Sequence, residues 1–572
     1  MMTFTLGMRQ QPAHPFLTRI AQQISTRPKL GAETLILLIC LWFTATSNSL
    51  FWQAAMERQT GSWTEIALHG AALALLLTTT HFLLLACITL RRAAKPLLAI
   101  IVVLTTFASH YMGKYHVYLD PDMLRNILRT DYREASELFS WGMIPALLAY
   151  ALPPLLLLAR VDIKPRPLLR ATGIRLFSLL LAMALAGAAG FAIFKDFSSL
   201  MREKKEVRYL ITPANYLYSS VRAVASDTAT ASKEKVPVGS DAVLSAAWAE
   251  HKKPVLMVVV IGETARSANW GLSGYARQTT PELAGLNVIN FSDVTACGTN
   301  TEVSVPCMLS PYGRNNYDEA KIRGSESLLH VLKRAGLRTT WIDNQSGCKG
   351  TCDGLENWRP DAKLSPADCN SDGCLDGAML AGVRQLAENH RESQVIFLHT
   401  LGNHGPAYSK RYPKAFQKFL PACESSDLGK CTQQEIVNAY DNALLYTDHV
   451  LAQTIAYLKT QQSNYDTALL YVSDHGESLG ENGLFLHGTP YAIAPDVQKK
   501  VPMVAWFSDD YSQRFSLDTQ CLRQRAGTAI SHDHLFHTTL ALLDVQTSAL
   551  DTAYDFSTGC TPGNKGKMAA HH

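Results

Sequence analysis

The chain has 572 residues, of which 47% are hydrophobic, and a formal net charge of +4. It is too long for one ordinary domain, and its average apolarity makes a membrane-embedded part a first consideration. These values exclude a small soluble protein with a single domain.

The apolar residues are concentrated before residue 200, in stretches of mostly uncharged residues. Each stretch has about 18 residues or more, enough for a helix to cross a hydrocarbon core of about 30 Å. We predict five spans, at residues 33–55, 66–90, 95–112, 141–160 and 174–194. A buried soluble helix bundle is the alternative, but the short, charge-bearing loops between the stretches favour a membrane.

Loop charges predict the orientation, because Lys and Arg accumulate on the cytoplasmic side of a membrane. Basic residues dominate the N-terminal tail and the second and fourth loops, whereas the third loop balances its basic residues with Asp and Glu. The N-terminus is therefore expected in the cytoplasm, and an odd number of spans puts everything after residue 195 outside. The first span lacks a convincing cleavage pattern, so we expect it to remain as an anchor rather than leave as a signal peptide.

Cysteine usage is a separate test of this orientation. Cys40 and Cys87 lie within predicted spans, and the other ten cysteines lie beyond residue 195. An even set in an exported domain indicates disulfides. The sequence neighbours are Cys297 with Cys307, Cys348 with Cys352, Cys369 with Cys374, Cys423 with Cys431, and Cys521 with Cys560. A zinc ribbon is the alternative, but the spacings do not repeat as paired CxxC knuckles.

Composition divides the chain into four regions. Polar, small residues such as "SDTATASKEKVPVGSD" indicate a linker, and the mixed basic and apolar residues before it are typical of a segment on a membrane surface. An ordinary amphipathic connector helix explains that segment equally well. The predicted regions are a transmembrane domain (1–195), interfacial helices and linker (196–242), an exported domain (243–565) and a tail excluded from fold reasoning (566–572).

In the exported domain, short apolar strands alternate with helical segments. The strand candidates are "VLMVVVIG", "NVINFSDV", "RTTWID", "QVIFLHT", "TALLYVS" and "VPMVAWF". Several are apolar on both faces, as buried parallel strands are. The long stretch "QQEIVNAYDNALLYTDHVLAQTIAYLKT" predicts a helix between two of them. This alternation predicts a doubly wound α/β sheet with helices on both faces.

Candidate metal ligands stand at the ends of three predicted strands. They are Glu263, His399, Asn403, His404, Asp474 and His475. Because ligands gather at the carboxyl ends of the strands in such folds, we expect these side chains to converge. Carboxylates and imidazoles are ligands that zinc prefers. A turn or a helix start could explain each residue alone, but that explanation needs four coincidences.

The stretch "ACGTNTEVSVPCML" supplies candidates for a nucleophile. Thr299, Thr301 and Ser304 lie between Cys297 and Cys307, where a disulfide would hold the loop. A helix start favours an alkoxide, and a metal lowers the pKa of a hydroxyl further. The spacing leaves the choice among the three hydroxyls open, and the stretch alone could be a helix N-cap with a disulfide.

The chain resembles the membrane-anchored phosphoethanolamine transferases that modify lipid A, including those that cause polymyxin resistance. The stretches that carry the resemblance are "VVVIGETARSANWGLSGYARQTTPEL", "CGTNTEVSVPCML", "DNQSGCKGTCD", "LHTLGNHGPAYSKRYP" and "YVSDHGESLGENGLFLHGTPYAIAP". The resemblance covers nearly the whole chain, including the five-span anchor. It implies a bacterial inner-membrane protein with an alkaline phosphatase/sulfatase-like domain in the periplasm.

The resemblance also implies roles for individual residues. The zinc site would comprise Glu263, Thr301, Asp474 and His475, with Thr301 as the catalytic nucleophile. His404 and His487 would lie near a second metal or the phosphate, and would act in catalysis by moving protons. Implied substrate contacts are Asn126, Thr130, Glu134, Ser346, Lys349, His404 and His487.

The implied reaction is zinc-dependent transfer of phosphoethanolamine from phosphatidylethanolamine to a phosphate of lipid A, through a phosphothreonine intermediate. One zinc would be firmly bound, with a second during turnover. A monomer among membrane lipids, without a nucleic-acid partner, is expected. Three alternatives stay open: another surface glycan as acceptor, a phosphoglycerol transferase, and a non-catalytic membrane receptor with a structural metal, which would form no phosphorylated threonine.

Overall fold

The computed structural model describes residues 27–57, 59–130, 132–231, 234–250, 252–371 and 373–561. Within this part the chain forms two compact units. The first comprises Met1–His110 and Met143–Ala214, and the second Tyr111–Gly142 and Asn215–His572, as far as each is described. The predicted tail at 566–572 lies outside the described residues.

The first unit is largely helical, and the parts of the second unit before residue 232 also form helices. The helices are α1 (Ala32–Thr46), α2 (Ser49–Met56), α3 (Trp63–Ile88), α4 (Ala94–Tyr115), α5 (Pro121–Arg129), α6 (Tyr132–Leu138), α7 (Met143–Arg160, with a π turn at Leu147–Ala151), α8 (Leu168–Ala192), α9 (Phe194–Glu203) and α10 (Ala214–Ala231). By length and composition α3, α4, α7 and α8 can each cross a membrane, and α1 with α2 form a fifth candidate bent by 61°. The predicted spans are therefore present as four continuous helices and one bent pair.

Asn48 lies at the bend between α1 and α2. Its side chain donates to the carbonyl oxygens of Phe43 and Thr212, each at 2.9 Å, and accepts from the N–H of Thr212 at 2.8 Å. A break in a helix exposes backbone groups that need new partners in an apolar setting. The buried amide supplies those partners, which explains why the pair bends here.

The second unit contains an eight-stranded sheet. Its strands are β1 (Val255–Gly262), β2 (Ile289–Thr295), β3 (Arg338–Asp343), β4 (Glu356–Trp358), β5 (Gln394–His399), β6 (Asp466–Ser473), β7 (Lys500–Phe507) and β8 (Ile530–Ser531). They lie in the order β8-β2-β7-β6-β1-β5-β3-β4, and β7 alone runs antiparallel to its neighbours. All six predicted strands are present, and the two that were not predicted are short edge strands.

Helices cover both faces of this sheet. They are α11 (Ala247–Glu250), α12 (Pro281–Ala284), α13 (Thr301–Met308), α14 (Glu319–Gly324), α15 (Leu328–Arg334), α16 (Met379–Asn389), α17 (Gln433–Thr460), α18 (Asp496–Lys499), α19 (Asp509–Arg514), α20 (Thr519–Arg525) and α21 (Asp533–Leu542). In β1, Met257 and Val259 join one core while Leu256, Val258 and Val260 join the other. Successive side chains point to opposite faces of a strand, so the central strand is buried on both sides, as expected for a doubly wound sheet.

The segment between α4 and α7 belongs to the second unit rather than to the membrane helices that flank it. The boundaries drawn from sequence assigned it to the transmembrane domain. In the structure, Arg125 of this segment forms ion pairs with Asp227 at 3.0 Å and with Glu319. These partners are distant in sequence, so the charge pattern of the loop alone did not reveal them.

Five disulfides cross-link the second unit. They join the sequence neighbours: Cys297 to Cys307, Cys348 to Cys352, Cys369 to Cys374, Cys423 to Cys431, and Cys521 to Cys560. Cys40 and Cys87 are free thiols. The disulfides restrict the unfolded chain and so stabilise the exported unit without a metal.

This pairing predicts the outcome of thiol alkylation. Denatured but unreduced protein should take up label at Cys40 and Cys87 alone, because disulfide sulfurs carry no reactive thiolate. After reduction all twelve cysteines should react. Peptide mass spectrometry measures both states, and label between Cys297 and Cys560 without reduction would contradict the pairing.

Candidate active site

The register of β1 and β6 brings two acidic residues together. Ser473 pairs with Gly262 at the carboxyl ends of these parallel strands, so the next residues, Asp474 and Glu263, begin side by side. The N–H of Asp474 donates to the carbonyl oxygen of Gly262 at 2.8 Å. This edge is where ligands bind in open α/β sheets.

Glu263, Asp474 and His475 form a fully buried cluster. The Nε2 atom of His475 lies 3.4 Å from Oε1 of Glu263 and 3.4 Å from Oδ2 of Asp474. In the described part of the chain, neither of these two carboxylate oxygens has a hydrogen-bond donor. Two buried carboxylate oxygens without hydrogen-bond donors, beside an imidazole nitrogen, are the ligand atoms that a divalent cation takes.

The electrostatics of the cluster favour a positive charge at its centre. Burial, and then the neighbouring Glu263 carboxylate, raise the pKa of Asp474 to about 7. Burial alone would lower the pKa of His475, but Asp474 and Glu263 outweigh it and raise that pKa to about 10. Burial opposes ionisation of Glu263, yet the His475 imidazole holds the pKa of Glu263 well below its usual range. Crowded carboxylates of this kind are stable when a cation joins them, so the residues fit a metal cofactor.

Surrounding groups orient the candidate ligands. The Nδ1 atom of His475 lies 3.0 Å from the carbonyl oxygen of Gly476, which leaves Nε2 to face the carboxylates. The Nε2 amide of Gln345 donates to Oε2 of Glu263 at 2.8 Å. Such outer partners fix the orientation of metal ligands and tune their basicity.

The structure distinguishes the three hydroxyls that the sequence left open. Thr299 donates to the carbonyl oxygen of Thr489 at 2.7 Å, and Oγ of Ser304 accepts from the N–H of Gly298 at 2.9 Å. Both hydroxyls thus serve the local backbone. Oγ1 of Thr301 instead donates to Oε2 of Glu263 at 3.0 Å and lies 3.3 Å from Nε2 of His475. Thr301 is the hydroxyl that faces the candidate ligands.

Thr301 begins helix α13, and the local sequence explains why the helix begins there. The side chain of Asn300 caps the helix by accepting from the N–H of Val303 at 3.0 Å. The Cys297–Cys307 disulfide closes the loop around this helix. Thr301 therefore lies at the positive end of a helix, where developing negative charge is stabilised.

His404 and His487 form a second group with Glu263. The two rings are 5.5 Å apart, and the His487 ring is 4.4 Å from that of His475. Nδ1 of His487 bonds to Oε2 of Glu477 at 2.9 Å, and Glu477 also accepts from the hydroxyl of Tyr408 at 2.7 Å. The carboxylate fixes the His487 ring, so its Nε2 remains available to the site.

Lys349 and Ser346 lie beside α13. Nζ of Lys349 donates to Oγ of Ser346 at 2.6 Å and lies 3.3 Å from Oε1 of Glu302. Lys349 is nearly buried. Its ammonium contacts Glu302, the residue after Thr301, and a cation in this position is suited to bind an anionic group.

The segment after α4 carries three predicted contacts, Asn126, Thr130 and Glu134, and the structure describes the side chains of the first two. Asn126 and Thr130 are half-buried, and the Thr130 hydroxyl donates to the carbonyl oxygen of Asn126 at 2.7 Å. Helix α5, which contains Asn126, lies against the site, because a Cβ on Gly488 would be 2.2 Å from Cε of Met123. The side chain of Glu134 lies outside the described part.

His399 and Asn403 stand at the same edge but have other partners. Nδ1 of His399 bonds to Oδ1 of Asp343 at 2.8 Å, and Asn403 donates to the carbonyl oxygen of Tyr440 at 3.2 Å. Both side chains are fully buried. They brace the loop that carries His404 rather than join the candidate ligands.

The sequence analysis missed three residues around the cluster: Gln345, Glu302 and Glu477. Gln345 could have been found, since it follows β3 at the carboxyl edge as Glu263 follows β1. Glu302 resembles an ordinary acidic residue in the first turn of a helix. Glu477 lies in the glycine-rich turn after β6, and only its contact with His487 sets it apart.

Comparison with known proteins identifies the family. A family model described as sulfatase matches residues 256–545, and one described as phosphoethanolamine transferase EptA/EptB matches residues 77–228. The phosphoethanolamine transferase EptA of Escherichia coli strain K12 is 38% identical over 455 residues, which cover 79% of this chain and 83% of that protein. The chain belongs to the phosphoethanolamine transferases.

Two further relatives agree with this assignment. The phosphatidylethanolamine transferase Mcr-1 from Escherichia coli is 38% identical over 457 residues, covering 77% of this chain and 82% of the relative. The integral membrane lipooligosaccharide phosphoethanolamine transferase A from Neisseria meningitidis superposes with a TM-score of 0.86 at 34% identity, covering 93% of this chain and all of that one. The 572-residue chain is therefore a multi-pass protein of the inner membrane with a periplasmic catalytic domain. The predicted fold class and family are confirmed.

Gly402 provides a test of how the backbone holds Glu263. Its φ is +50°, and a Cβ there would lie 2.6 Å from the carbonyl oxygen of Glu263 and 2.9 Å from its nitrogen. Gly402→Ala should therefore displace Glu263, lower the metal content measured by elemental analysis, and reduce phosphoethanolamine transfer at least about tenfold.

Gly336→Ala is the matched control. Gly336 also has a positive φ, +101°, but a Cβ there meets no atom within 4 Å. Its substitution should cost about 1 kcal/mol of unfolding free energy from backbone strain alone, with metal content and transfer unchanged. If Gly402→Ala keeps full metal content and activity, the contact does not position Glu263.

Proposed function

We propose that the chain transfers phosphoethanolamine from phosphatidylethanolamine to a phosphate of lipid A, through a covalent intermediate on Thr301, with zinc as cofactor. The observation that carries the proposal is the position of the Thr301 hydroxyl, within 3.3 Å of both Glu263 and His475 in a buried set of candidate ligands. A structural metal in a receptor would need no hydroxyl at the start of a helix in that set.

Zinc suits this site because the candidate ligands are two carboxylates and an imidazole, those of Glu263, Asp474 and His475. When bound there, zinc would lower the pKa of a nearby hydroxyl and polarise a phosphoryl oxygen. A second ion could be held by His404 and His487 with Glu263, which form the other candidate group.

In the first half-reaction Thr301 is the nucleophile. Its Oγ1–H bonds to Oε2 of Glu263 at 3.0 Å, which orients the oxygen lone pairs away from that carboxylate. Oγ1 forms a bond to phosphorus of the donor, and the bond from phosphorus to the glycerol oxygen breaks. Diacylglycerol leaves after its alkoxide takes up a proton, and phosphoethanolamine stays on Thr301.

His404 and His487 are placed to move protons in both half-reactions. The carboxylate of Glu477 holds His487 through Nδ1, which leaves Nε2 for the leaving glycerol oxygen. In the second half-reaction an oxygen of the acceptor phosphate attacks phosphorus and the Thr301 oxygen leaves. The Thr301 proton leaves with diacylglycerol in the first half-reaction, and the proton that the attacking acceptor phosphate gives up in the second passes to the departing Thr301 oxygen.

Two observations support a lipid-linked acceptor, one on the chain itself and one on a similar enzyme. The catalytic unit is continuous with helices that can cross a membrane, so donor and acceptor lipids of the outer leaflet are available to it. The name of the similar Neisseria meningitidis enzyme gives lipooligosaccharide as its acceptor. Adding an ethanolamine ammonium to lipid A lowers the negative surface charge, which accounts for the expected polymyxin resistance.

The proposal predicts an adduct on one residue. Purified wild-type chain given phosphatidylethanolamine without acceptor should gain the mass of one phosphoethanolamine on Thr301, located by peptide mass spectrometry. Thr301→Ala should lose the adduct and at least about a thousandfold in transfer, because the attacking oxygen is gone. Thr301→Ser should keep part of both, since it retains a hydroxyl with a less restricted rotamer.

Thr299→Ala is the control for this experiment, because Thr299 bonds to the backbone of Thr489 and not to the cluster. It should still form the Thr301 adduct. Lipid A from cells expressing the wild type, but not Thr301→Ala, should be heavier by phosphoethanolamine. An adduct on Thr299 or Ser304 would reassign the nucleophile, and unmodified lipid A with a modified core sugar would reassign the acceptor.

A second prediction concerns the metal. Asp474→Asn keeps the shape of the side chain but removes one carboxylate charge. Zinc affinity should therefore fall at least about a hundredfold, which is more than the loss of a residue that only hydrogen-bonds a metal ligand usually causes. Transfer should fall with it, while the disulfide-linked domain stays folded. Zinc titration and circular dichroism measure these quantities.

Asp448→Asn is the matched control for a buried aspartate. Asp448 accepts from the N–H groups of Glu282 and Leu283 at 2.8 and 2.9 Å, away from the cluster. Burial raises its pKa to about 7, where the pKa of Asp474 also lies, so both substitutions remove a comparable carboxylate charge. This variant should retain zinc and activity. Equal zinc binding by Asp474→Asn would rule out Asp474 as a ligand.

A further inference from the structure

Glu302 directly follows Thr301 in the first turn of α13, and its side chain is fully buried. Its carboxylate contacts cations from three separate segments. Oε2 lies 2.9 Å from Nη1 of Arg129 and 3.5 Å from Nη2 of Arg323, and Oε1 lies 3.3 Å from Nζ of Lys349. Arg323 also donates to the backbone carbonyl of Glu302 at 2.7 Å.

These contacts belong to a network in which positive and negative charges balance. Its members are the cations Arg125, Arg129, Arg323 and Lys349 and the carboxylates Asp122, Asp227, Glu302 and Glu319. The other three carboxylates are 29 to 36% exposed, whereas Glu302 is 0% exposed. A buried carboxylate depends on its partners far more than an exposed one, so Glu302 fixes its cations most strongly.

Each oxygen of Glu302 is tied to a different substrate-contacting segment. Oε1 lies at ion-pair distance, 3.3 Å, from Nζ of Lys349 without accepting a hydrogen bond from it, and the Lys349 ammonium donates to Ser346 at 2.6 Å. Oε2 holds Arg129 at the end of α5, the helix that carries Asn126. Glu302 therefore connects both segments to the residue next to the nucleophile.

A ligand can reach this network from solvent. Arg129, Arg323 and Lys349 line a cleft of about 860 Å³. The cleft lies within the second unit and has room for a lipid head group. Of the cations that contact Glu302, Arg129 is the one most open to solvent, with 37% of its side chain exposed against 8% for Arg323 and 2% for Lys349.

We propose that Glu302 is a positioning residue for the donor head group, acting through Lys349 and Arg129 rather than on the reacting atoms. This inference rests on the proposed function, because it takes Thr301 as the nucleophile. With Glu302 in place, the ammonium of Lys349 and the end of α5 are held at fixed distances from Thr301. A purely structural role, such as an acidic residue at a helix start, would stabilise α13 without affecting donor binding.

The test is the Glu302→Gln variant, which keeps the side-chain shape and removes its charge. Initial rates with a short-chain phosphatidylethanolamine should show the donor KM raised about tenfold, with kcat within about threefold of wild type. Glu326→Gln is the control, because Glu326 lines the same cleft but pairs with Arg334, outside the network, and it should leave both parameters unchanged. A fall in kcat with KM unchanged, or wild-type kinetics, would overturn the inference.

A mutant cycle provides a readout that a structural role would not change. If Glu302 acts through Lys349 and Arg129, adding Glu302→Gln to a chain that already carries both Lys349→Met and Arg129→Gln should raise KM by no more than about twofold further. Two effects that simply multiply would overturn the inference. If Glu302→Gln folds poorly, Arg129→Gln breaks the same ion pair from its half-exposed side and must itself raise KM, and an unchanged KM would count against the inference.

The two proposals fail in different ways. At saturating donor, Glu302→Gln should still form the adduct on Thr301, because the nucleophile and candidate ligands are intact. A wild-type chain that forms no adduct would contradict the nucleophile, whereas the KM shift is measured from transfer rates and does not need the adduct to be seen. An adduct on Thr301 with an unchanged KM would leave the proposed function standing and remove the role of Glu302.

Discussion

The crowding of two buried carboxylates around one imidazole is the interaction on which the catalytic unit depends. Glu263 and Asp474 each place an oxygen 3.4 Å from Nε2 of His475, out of contact with solvent. Such an arrangement is costly unless a cation joins the groups. Much of the surrounding structure can be understood as holding these ligands close enough to bind one.

That hold comes from the backbone. Parallel strands β1 and β6 end in register, so the backbone alone fixes the separation of Glu263 and Asp474. The loop after β5 closes over Glu263, with its own N–H groups at Leu401 and Gly402 bound to the carboxylate of Asp376 at 2.8 Å. The backbone is thus fixed at the positions that carry the candidate ligands, and this pre-organises the site for charge that develops during the reaction.

The sequence predicted the parts of this arrangement that depend on periodicity. Apolar runs located the central strands, and the rule that ligands follow strand ends located Glu263 and Asp474. The choice of Thr301 as the proposed nucleophile could not be made in this way, since three hydroxyl side chains lie within six residues and the local sequence does not rank them. Only their partners distinguish them, and the partners of Thr301 come from residues 263 and 475. The bend at Asn48 escaped prediction for a similar reason, because its partner Thr212 is far along the chain.

The segment between α4 and α7 is where local patterns carried least information and the structure carries most. Its balanced charges served only to orient the chain across the membrane, yet Arg129 pairs with Glu302 beside Thr301. Nearer its C-terminal end Glu137 forms an ion pair with Arg411, in which both side chains are nearly buried. Arg411 in turn donates to the carbonyl oxygen of His404 at 2.8 Å.

Two parts of this segment therefore contact chain that carries proposed catalytic residues, one next to Thr301 and the other at His404. The segment is also continuous with α4 and α7, two helices able to cross a membrane. An enzyme whose donor and acceptor are lipids must combine a polar, metal-binding site with access to molecules that stay in a bilayer. A loop anchored by membrane helices at both ends, and bound to the site by buried ion pairs, satisfies the two requirements with one piece of chain. Arg125, Arg129 and Glu137 of this loop pair with residues distant in sequence, so the sequence of the loop alone does not show what its charges bind.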